Sequence, residues 1–453
     1  MIERSLGEIA SAVHGRRSGD DPLISSVVTD SRRAQPGALF VALAGERTDG
    51  HAFVRDAFDR GASAALVHRA DVQWTVVEVA DTGEALLALA ADERERMNTA
   101  TVVGVTGANG KTTTKDLAAA ILRTRVRTHA SPASFNNEVG LPMTLLGAEP
   151  GTEVVVAEMG ARRVGDVARL CAVARPDVVV VTNVGVAHIG VFGSWEEIVR
   201  AGREPLEALD ATGVAVVNLD DPVVRGYVAG TDARVIGFGM DASAEVRAEE
   251  VTLGPDARAS FHLIAAGERE RVELAVPGEH MVSNALAASA CAVALGMTVA
   301  ECAAALKGAR VSAWRMETFT TPDGVVVVND AYNANPESMA AGLRTARWMA
   351  KRGRLVAVLG HMAELGPIAD EEHERVGELL VRIGADRLIT VGDPARSIAR
   401  AAVREGLLPQ DVASYDGPAE AAADVRAWVR PGDVVLVKGS RVARLELVAE
   451  GLR

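Results

Sequence analysis

The stretch GVTGANGKTTTKD, from Gly104 to Asp116, holds residues whose types and spacing suit phosphate chemistry. Gly104, Gly107 and Gly110 stand three apart, so the backbone can turn tightly and aim N–H groups at an anion. Lys111 adds a cation for β- and γ-phosphates at the positive end of the helix that KDLAAAILR predicts, and Thr112 offers a hydroxyl to Mg2+. The standard pattern G-x-x-x-x-G-K-[ST] has its first glycine where this chain has Val105, so the strict pattern fails while its physics survives. An ordinary glycine-rich turn would account for the glycines, but not for Lys-Thr directly after the third. Magnesium needs hard oxygen ligands. Glu158 ends the apolar run EVVVAE, where an acid is expensive to bury, and His188 in TNVGVAHIGVFGS follows another apolar run. Both are candidates to face the glycine loop, Glu158 against the alternative of an exposed strand-end acid and His188 against that of a satisfied core histidine.

Such groups need a scaffold. TVVGVT, EVVVAEMG, PDVVVVTNV and GVAVVNL are β-branched runs too apolar to be half exposed, as strands of a doubly covered parallel sheet are. The more polar alternation from residue 247 to 278 reads as antiparallel hairpins appended to that sheet, and HMVSNALAASACAVALGM and VAECAAALKGA read as closing helices. A smaller α/β unit precedes, with strands in ISSVVTDSR, GALFVAL, AALVH and WTVVEVA; the polar helix TGEALLALAADERERMN marks a boundary near residues 81 to 98. A third strand–helix series follows SAWRMETF: GVVVVNDAY, RLVAVLGHM, DRLITVG and DVVLVKGS end in glycine or polar residues, which places functional loops at the carboxyl ends of a second open sheet.

At 453 residues the chain exceeds one core, and about 150 residues per domain gives three. A net charge of -13 and a pI near 5.3 argue against nucleic acid or an anionic membrane as partner. Cys171, Cys291 and Cys302 lack C-x-x-C spacing and sit in apolar runs, so buried free thiols are expected. MIERSLGEIASAVHG lacks the apolar core of a signal peptide, and no segment reaches the roughly 18 apolar residues of a membrane span. A cytoplasmic protein without membrane insertion is expected.

GVTGANGKTTTKD, SPASFNNEVGLP, VAEMGAR, TNVGVAHIGVFGS, NDAYNANPESM, LGHMAELG and VLVKGSR stand in the order found in the Mur ligases, and the chain resembles that family along essentially its whole length. TDSRRAQPGALFVALAGERTDGHAFVRDAFDRGA narrows the likeness to the branch whose first domain holds a UDP-linked substrate, and FNNEVGLP with DAYNANPESM points to its dipeptide-adding members. The resemblance implies three α/β domains: a small UDP-sugar domain (1–82), a central P-loop ATPase-type domain with a parallel sheet (98–310), and a Rossmann-like C-terminal domain bringing the amino component (311–453). It implies ATP and Mg2+ as cofactors, UDP-N-acetylmuramoyl-tripeptide and D-alanyl-D-alanine as small-molecule partners, and a monomer. The reaction it implies phosphorylates the peptide carboxylate to an acyl phosphate, which an amine attacks to form an amide.

Carried over by motif, Gly107, Ala108, Asn109, Gly110, Lys111, Thr112 and Thr113 match the ATP loop, and Asn284 matches the adenine-side asparagine. Arg315 and Asp330 match residues reaching the γ-phosphate and ribose when the domains close on a hinge near 308–314; Asn333 and Asn335 line the same cleft, and Lys438 and Ser440 match its closing loop. Lys111, Glu158, His188 and Arg315 are thereby the catalytic candidates, with Thr112, Glu158 and His188 as metal ligands. Ser31, Arg32, Asp49, Gly50 and His51 match the UDP-sugar pocket, against the alternative that Arg32 and His51 are solvated surface residues.

The chain departs from the family at Gly202. The family carries there a CO2-carbamylated lysine that binds a second Mg2+. Ser194 and Glu197 predict a helix start by a capping box, and Gly202 and Pro205 predict an early weakening of that helix. His361 and Met281 are further departures, replacing an acid and a polar residue. Three readings stay open: a dipeptide-adding ligase whose second metal is held by Glu204, Glu158 or water; a paralogue joining a different amine or carboxylate; and a nucleotide-binding pseudo-ligase without activity.

Overall fold

The protein is described by a computed structural model covering residues 1–45, 48–69 and 73–453; Glu46 and Arg47 of the quoted N-terminal stretch lie outside the described residues. Three main sheets carry the chain. The first runs Arg16–Ser18, Val76–Glu78, Ala64–Val67, Ala38–Val41, Ser26–Val28, parallel except for its first pair.

The second sheet holds the glycine loop. Its strand Thr101–Thr106 lies between Val154–Glu158 and Val178–Val181, all parallel. Strands leave this central one in both directions, so the loop after Thr106 opens into the crevice at the carboxyl edge. The sheet continues beyond Val178–Val181 through Val214–Asn218, Arg234–Gly239 and Val246–Leu253, and ends in the antiparallel Arg258–Ala265 and Glu268–Pro277. The appended hairpins expected from the polar alternation are therefore part of one continuous sheet. Helices Met281–Ala294 and Val299–Gly308 close it.

In the third sheet Val434–Lys438 lies between Val326–Asp330 and Leu355–Gly360, followed by Arg387–Val391 and Val412–Tyr415 in parallel, with Glu317–Thr320 as an antiparallel edge. Its register sets Asp330 beside Lys438 at the carboxyl edge.

The helix Thr82–Arg96 is more than the polar connector its sequence suggests. Leu86, Leu89, Ala90 and Glu93 are fully buried, and the helix packs on Gly140–Leu146 and Asp166–Ala174 of the second unit. Arg94 threads into that contact, donating to the carbonyls of Ala174, Met97 and Ala100 and to Asp177. Polar residues here are anchored by distant partners, which a one-dimensional hydrophobic count does not register. The three cysteines are free and buried, and burial pushes each thiol up to about 12. Among the described residues no helix is long and apolar enough to cross a membrane.

Candidate active site

The glycine loop is fixed from below by the next parallel strand. Thr182 donates its hydroxyl to the Asn109 carbonyl (2.7 Å), Asn183 accepts the N–H of Asn109 on its side-chain oxygen (2.8 Å), and its backbone carbonyl accepts from Ala108 (2.9 Å). Gly107 and Gly110 adopt φ of 129° and 82°; a Cβ on them would lie 2.1 Å from Thr182 Oγ1 and 2.2 Å from Asn284 Oδ1. Both positions thus require glycine for backbone and for space. Gly110 precedes the helix Lys111–Leu122, whose first N–H groups face the crevice edge without a side-chain cap.

Lys111 curls over the loop, donating to the carbonyls of Gly107 (2.6 Å) and Ala108 (3.2 Å). Burial pulls its ammonium below the ordinary lysine range, with Glu158 opposing that shift and Arg315 adding to it. Glu158 is 1% exposed at the end of its strand. One of its oxygens accepts from Asn136 (2.8 Å), while Oε2 is buried with no partner. Arg315 donates to Thr112 Oγ1 (3.0 Å), lies 4.1 Å over the Tyr332 ring, and has a buried Nε with no partner. A lone buried carboxylate oxygen and a lone buried guanidinium N–H on one crevice are costly unless something of mixed charge joins them. A metal–phosphate group meets that demand, so the residues fit ATP with Mg2+.

The crevice is closed by the third unit. Asn335 caps the helix Pro336–Ala350, accepting from Ser338 N, and donates across to Asn109 Oδ1 (2.7 Å). Lys438, 2% exposed, donates to Asp330 (2.5 Å) and to the Asn333 carbonyl (3.1 Å). Ser440 accepts from Ala363 N (2.8 Å), linking the VKGSR turn to LGHMAELG. In that second turn Glu364 pairs with both His188 and Arg162 of the middle unit, the latter at 3.1 Å. Burial holds the His188 imidazole below its ordinary range, with Lys111 adding to the shift and Glu364 opposing it. The expected hinge is tied too: Ser312 N donates to Asp116 (2.7 Å).

Over its whole length the chain is 40% identical to the UDP-N-acetylmuramoyl-tripeptide--D-alanyl-D-alanine ligase of Mycobacterium tuberculosis, covering 98% of that relative. The chain belongs to the Mur ligase family. Its residues 23–119, 105–292 and 314–441 match, in turn, the Mur ligase family catalytic domain, the Mur ligase middle domain and the Mur ligase glutamate ligase domain. Among solved Mur ligases, MurF from Acinetobacter baumannii superposes with a TM-score of 0.89 at 30% identity, over 99% of this chain and 98% of that one. MurF from Thermotoga maritima in complex with ADP superposes with a TM-score of 0.81 at 30% identity, over 94% and 96%.

The other expected residues fall in separate places. Asn284 lies against Gly110, with its amide on the Met281 sulfur (3.6 Å). Thr113 is buried in the first turn of the loop helix. Ser31 and Arg32 lie in one short helical turn of the first unit, Ser31–Arg33, and Asp49, Gly50 and His51 at another, Gly50–Phe53. Arg32 pairs with Asp30 on the surface, while His51 pairs with Asp49 (2.6 Å) and accepts from His68 N (3.0 Å). The candidate UDP pocket is thus built apart from the nucleotide crevice.

The departures resolve differently from expectation. The helix expected to weaken at Gly202 and Pro205 runs unbroken as Trp195–Glu207. Ser194 caps it, and Tyr227 supports it by donating to the Val199 carbonyl (2.7 Å); a Cβ at Gly202 would lie 2.7 Å from that same hydroxyl. Glu204 is not available as a substitute metal ligand. It is buried, and its two oxygens accept from Gly165 N and Ala168 N, capping the helix Asp166–Ala174. His361 contributes its carbonyl, accepting from Ser440 N (3.0 Å). Sequence reasoning passed over Glu364, three residues beyond His361 in the same motif. It also passed over Tyr332, Asn136 and Arg162, which act through partners in other elements, and over Lys115. That buried lysine donates to the carbonyls of Ser131 and Ala133 (2.7 Å each).

Proposed function

We propose that this Mur ligase joins D-alanyl-D-alanine to the terminal carboxylate of UDP-N-acetylmuramoyl-tripeptide at the expense of ATP, in the cytoplasmic assembly of peptidoglycan precursors, acting as a monomer. The observation that carries the reading is the full-length identity to the M. tuberculosis ligase of that name. The closed crevice, in which Arg315 of the third unit touches Thr112 of the second, agrees with it.

A carboxylate resists nucleophiles because of its negative charge; phosphorylation removes that charge and supplies a leaving group. Lys111 and Arg315 face the phosphates as fixed cations, Lys111 from the loop and Arg315 from the closing unit. Arg315 is braced by the Tyr332 ring, so less order has to be imposed on it when substrate arrives. Thr112 and the open oxygen of Glu158 would hold Mg2+, and His188, steadied by Glu364, would flank it. These side chains would leave the rest of the ion's shell to phosphate oxygens and water. Bound Mg2+ would neutralise charge on the transferred phosphoryl group. Asp330, held by Lys438 at the sheet edge, would meet the ribose side, and Asn333 and Asn335 the cleft wall.

Phosphate release from ATP tests this. With UDP-N-acetylmuramoyl-tripeptide present, D-alanyl-D-alanine should stimulate release well above single amino acids, other dipeptides and depsipeptides. Stronger stimulation by one of those would overturn the assignment of the amine.

A further inference from the structure

A second cavity, of about 920 Å³, lies away from the nucleotide crevice. One wall is the turn Leu253, Gly254 and Pro255 at the end of a middle-unit strand; the other is the last turns of the helix Pro336–Ala350, the loop after it and the turn holding Asp386, an acid that accepts from Leu355 N (2.8 Å) and faces Arg347 (3.9 Å). The two walls meet at one bond, from Trp348 Nε1 to the Gly254 carbonyl (2.8 Å). Trp348 is 49% exposed and lines the cavity, with its indole N–H already used.

Arg344, Lys351 and Arg352 line the same cavity and are exposed. Among the described residues none of these three side chains has an ion-pair or hydrogen-bond partner. Cations at a helix carboxyl end usually serve its free carbonyls. Here that task falls to Arg347, which donates to the carbonyls of Lys351, Gly353 and Gly384. The other three cations are left without it, in a chain of net charge -13 in which most exposed arginines are paired. Lys351 also holds φ 52° and ψ -111°, a backbone conformation that an L-residue adopts only under strain. Three unpaired cations, one of them on a strained backbone, and the half-exposed Trp348 line one concave space.

We propose that this cavity is a binding site for a small organic anion that carries a phosphate or comparable dianion on a planar apolar ring. The dianion would lie among Arg344, Lys351 and Arg352, and the ring on Trp348 and Pro255. Because the two walls belong to different units, an occupant would touch both at once and favour the arrangement in which Trp348 meets Gly254.

The probe is 1-naphthyl phosphate, titrated by calorimetry into the full-length protein saturated with a non-hydrolysable ATP analogue and Mg2+, so that the nucleotide crevice is filled. Saturable one-to-one binding is expected, at least about tenfold tighter than inorganic phosphate or 1-naphthol alone. The triple variant R344Q/K351Q/R352Q should lose it by tenfold or more, and Trp348→Leu should lose ring-dependent affinity while keeping phosphate binding. Both should retain ordinary ATP-dependent turnover, since none of these residues belongs to the catalytic crevice. Equal affinity in wild type and triple variant, absence of saturable binding, or binding no tighter than that of phosphate would each overturn the proposal. Should Trp348→Leu misfold, the triple variant alone decides.

Discussion

The candidate UDP pocket and the nucleotide crevice are built from similar residue types by opposite means. In the first unit the polar groups are satisfied by near neighbours: Arg32 and Asp30 are two residues apart, and so are His51 and Asp49. Each aspartate also accepts a backbone N–H from within its own turn, as such residues do in short loops. In the crevice the partners are remote. Arg315 reaches Thr112 across 203 positions, Asn335 reaches Asn109 across 226, and His188 reaches Glu364 across 176. The first arrangement can persist in one unit alone. The second exists only when two units meet, so its chemistry is tied to closure.

Breaking the crevice at its fixed cation should have the largest effect. Lys111→Ala is expected to lower kcat for phosphate release on the order of 10³-fold while leaving the thermal midpoint nearly unchanged, since its present contacts are two loop carbonyls. Near-normal turnover would remove Lys111 from the chemistry.

Glu364 is the sharpest test of remote assembly. Glu364→Ala frees His188 and Arg162 together and should cost about 10²-fold in kcat, with little change in KM for the UDP substrate; Glu364→Gln should recover part of the loss by still accepting from one of them. Parallel loss in both variants, with a lowered melting temperature, would mean that the residue only holds the interface.

Glu204 separates structure from catalysis. Glu204→Ala strips two backbone N–H groups of their acceptor and should destabilise folding by about 1–3 kcal/mol in denaturant titration, with an unchanged Mg2+ concentration for half-maximal activity. A rise in that concentration would restore Glu204 as a metal ligand.

The local pocket should yield the smallest change. Arg32→Ala removes an exposed pair and should leave the thermal midpoint essentially unchanged. Its effect should appear as a higher KM for the UDP-linked substrate at constant kcat. A fall in kcat with constant KM would place Arg32 in coupling rather than in binding.

These contrasts also explain what could be read in advance. The glycine loop was legible because its chemistry is contiguous: turn, cation, hydroxyl and helix start occupy one stretch. The sheet strands were legible because strands covered on both faces are apolar along their length. The helix through Gly202 and Pro205 was misjudged because propensity is local, while Ser194, Tyr227 and the docking of Glu204 on the neighbouring helix act through tertiary contact. His361 stands out in the sequence because it departs from a pattern, although Glu364 in the same turn makes the cross-unit contact.

By itself the sequence determined the phosphate loop, the run of parallel strands and the likeness to a ligase family, because each is carried by neighbouring residues whose backbone demands are met locally. Tertiary structure decided which lone groups converge. Only packing leaves Glu158 Oε2 and Arg315 Nε without partners, commits Glu204 to a helix end, and sets Glu364 on His188. Those outcomes depend on partners from 36 to 176 positions away along the chain, and such approaches are fixed by how the elements dock and not by any residue's own preference.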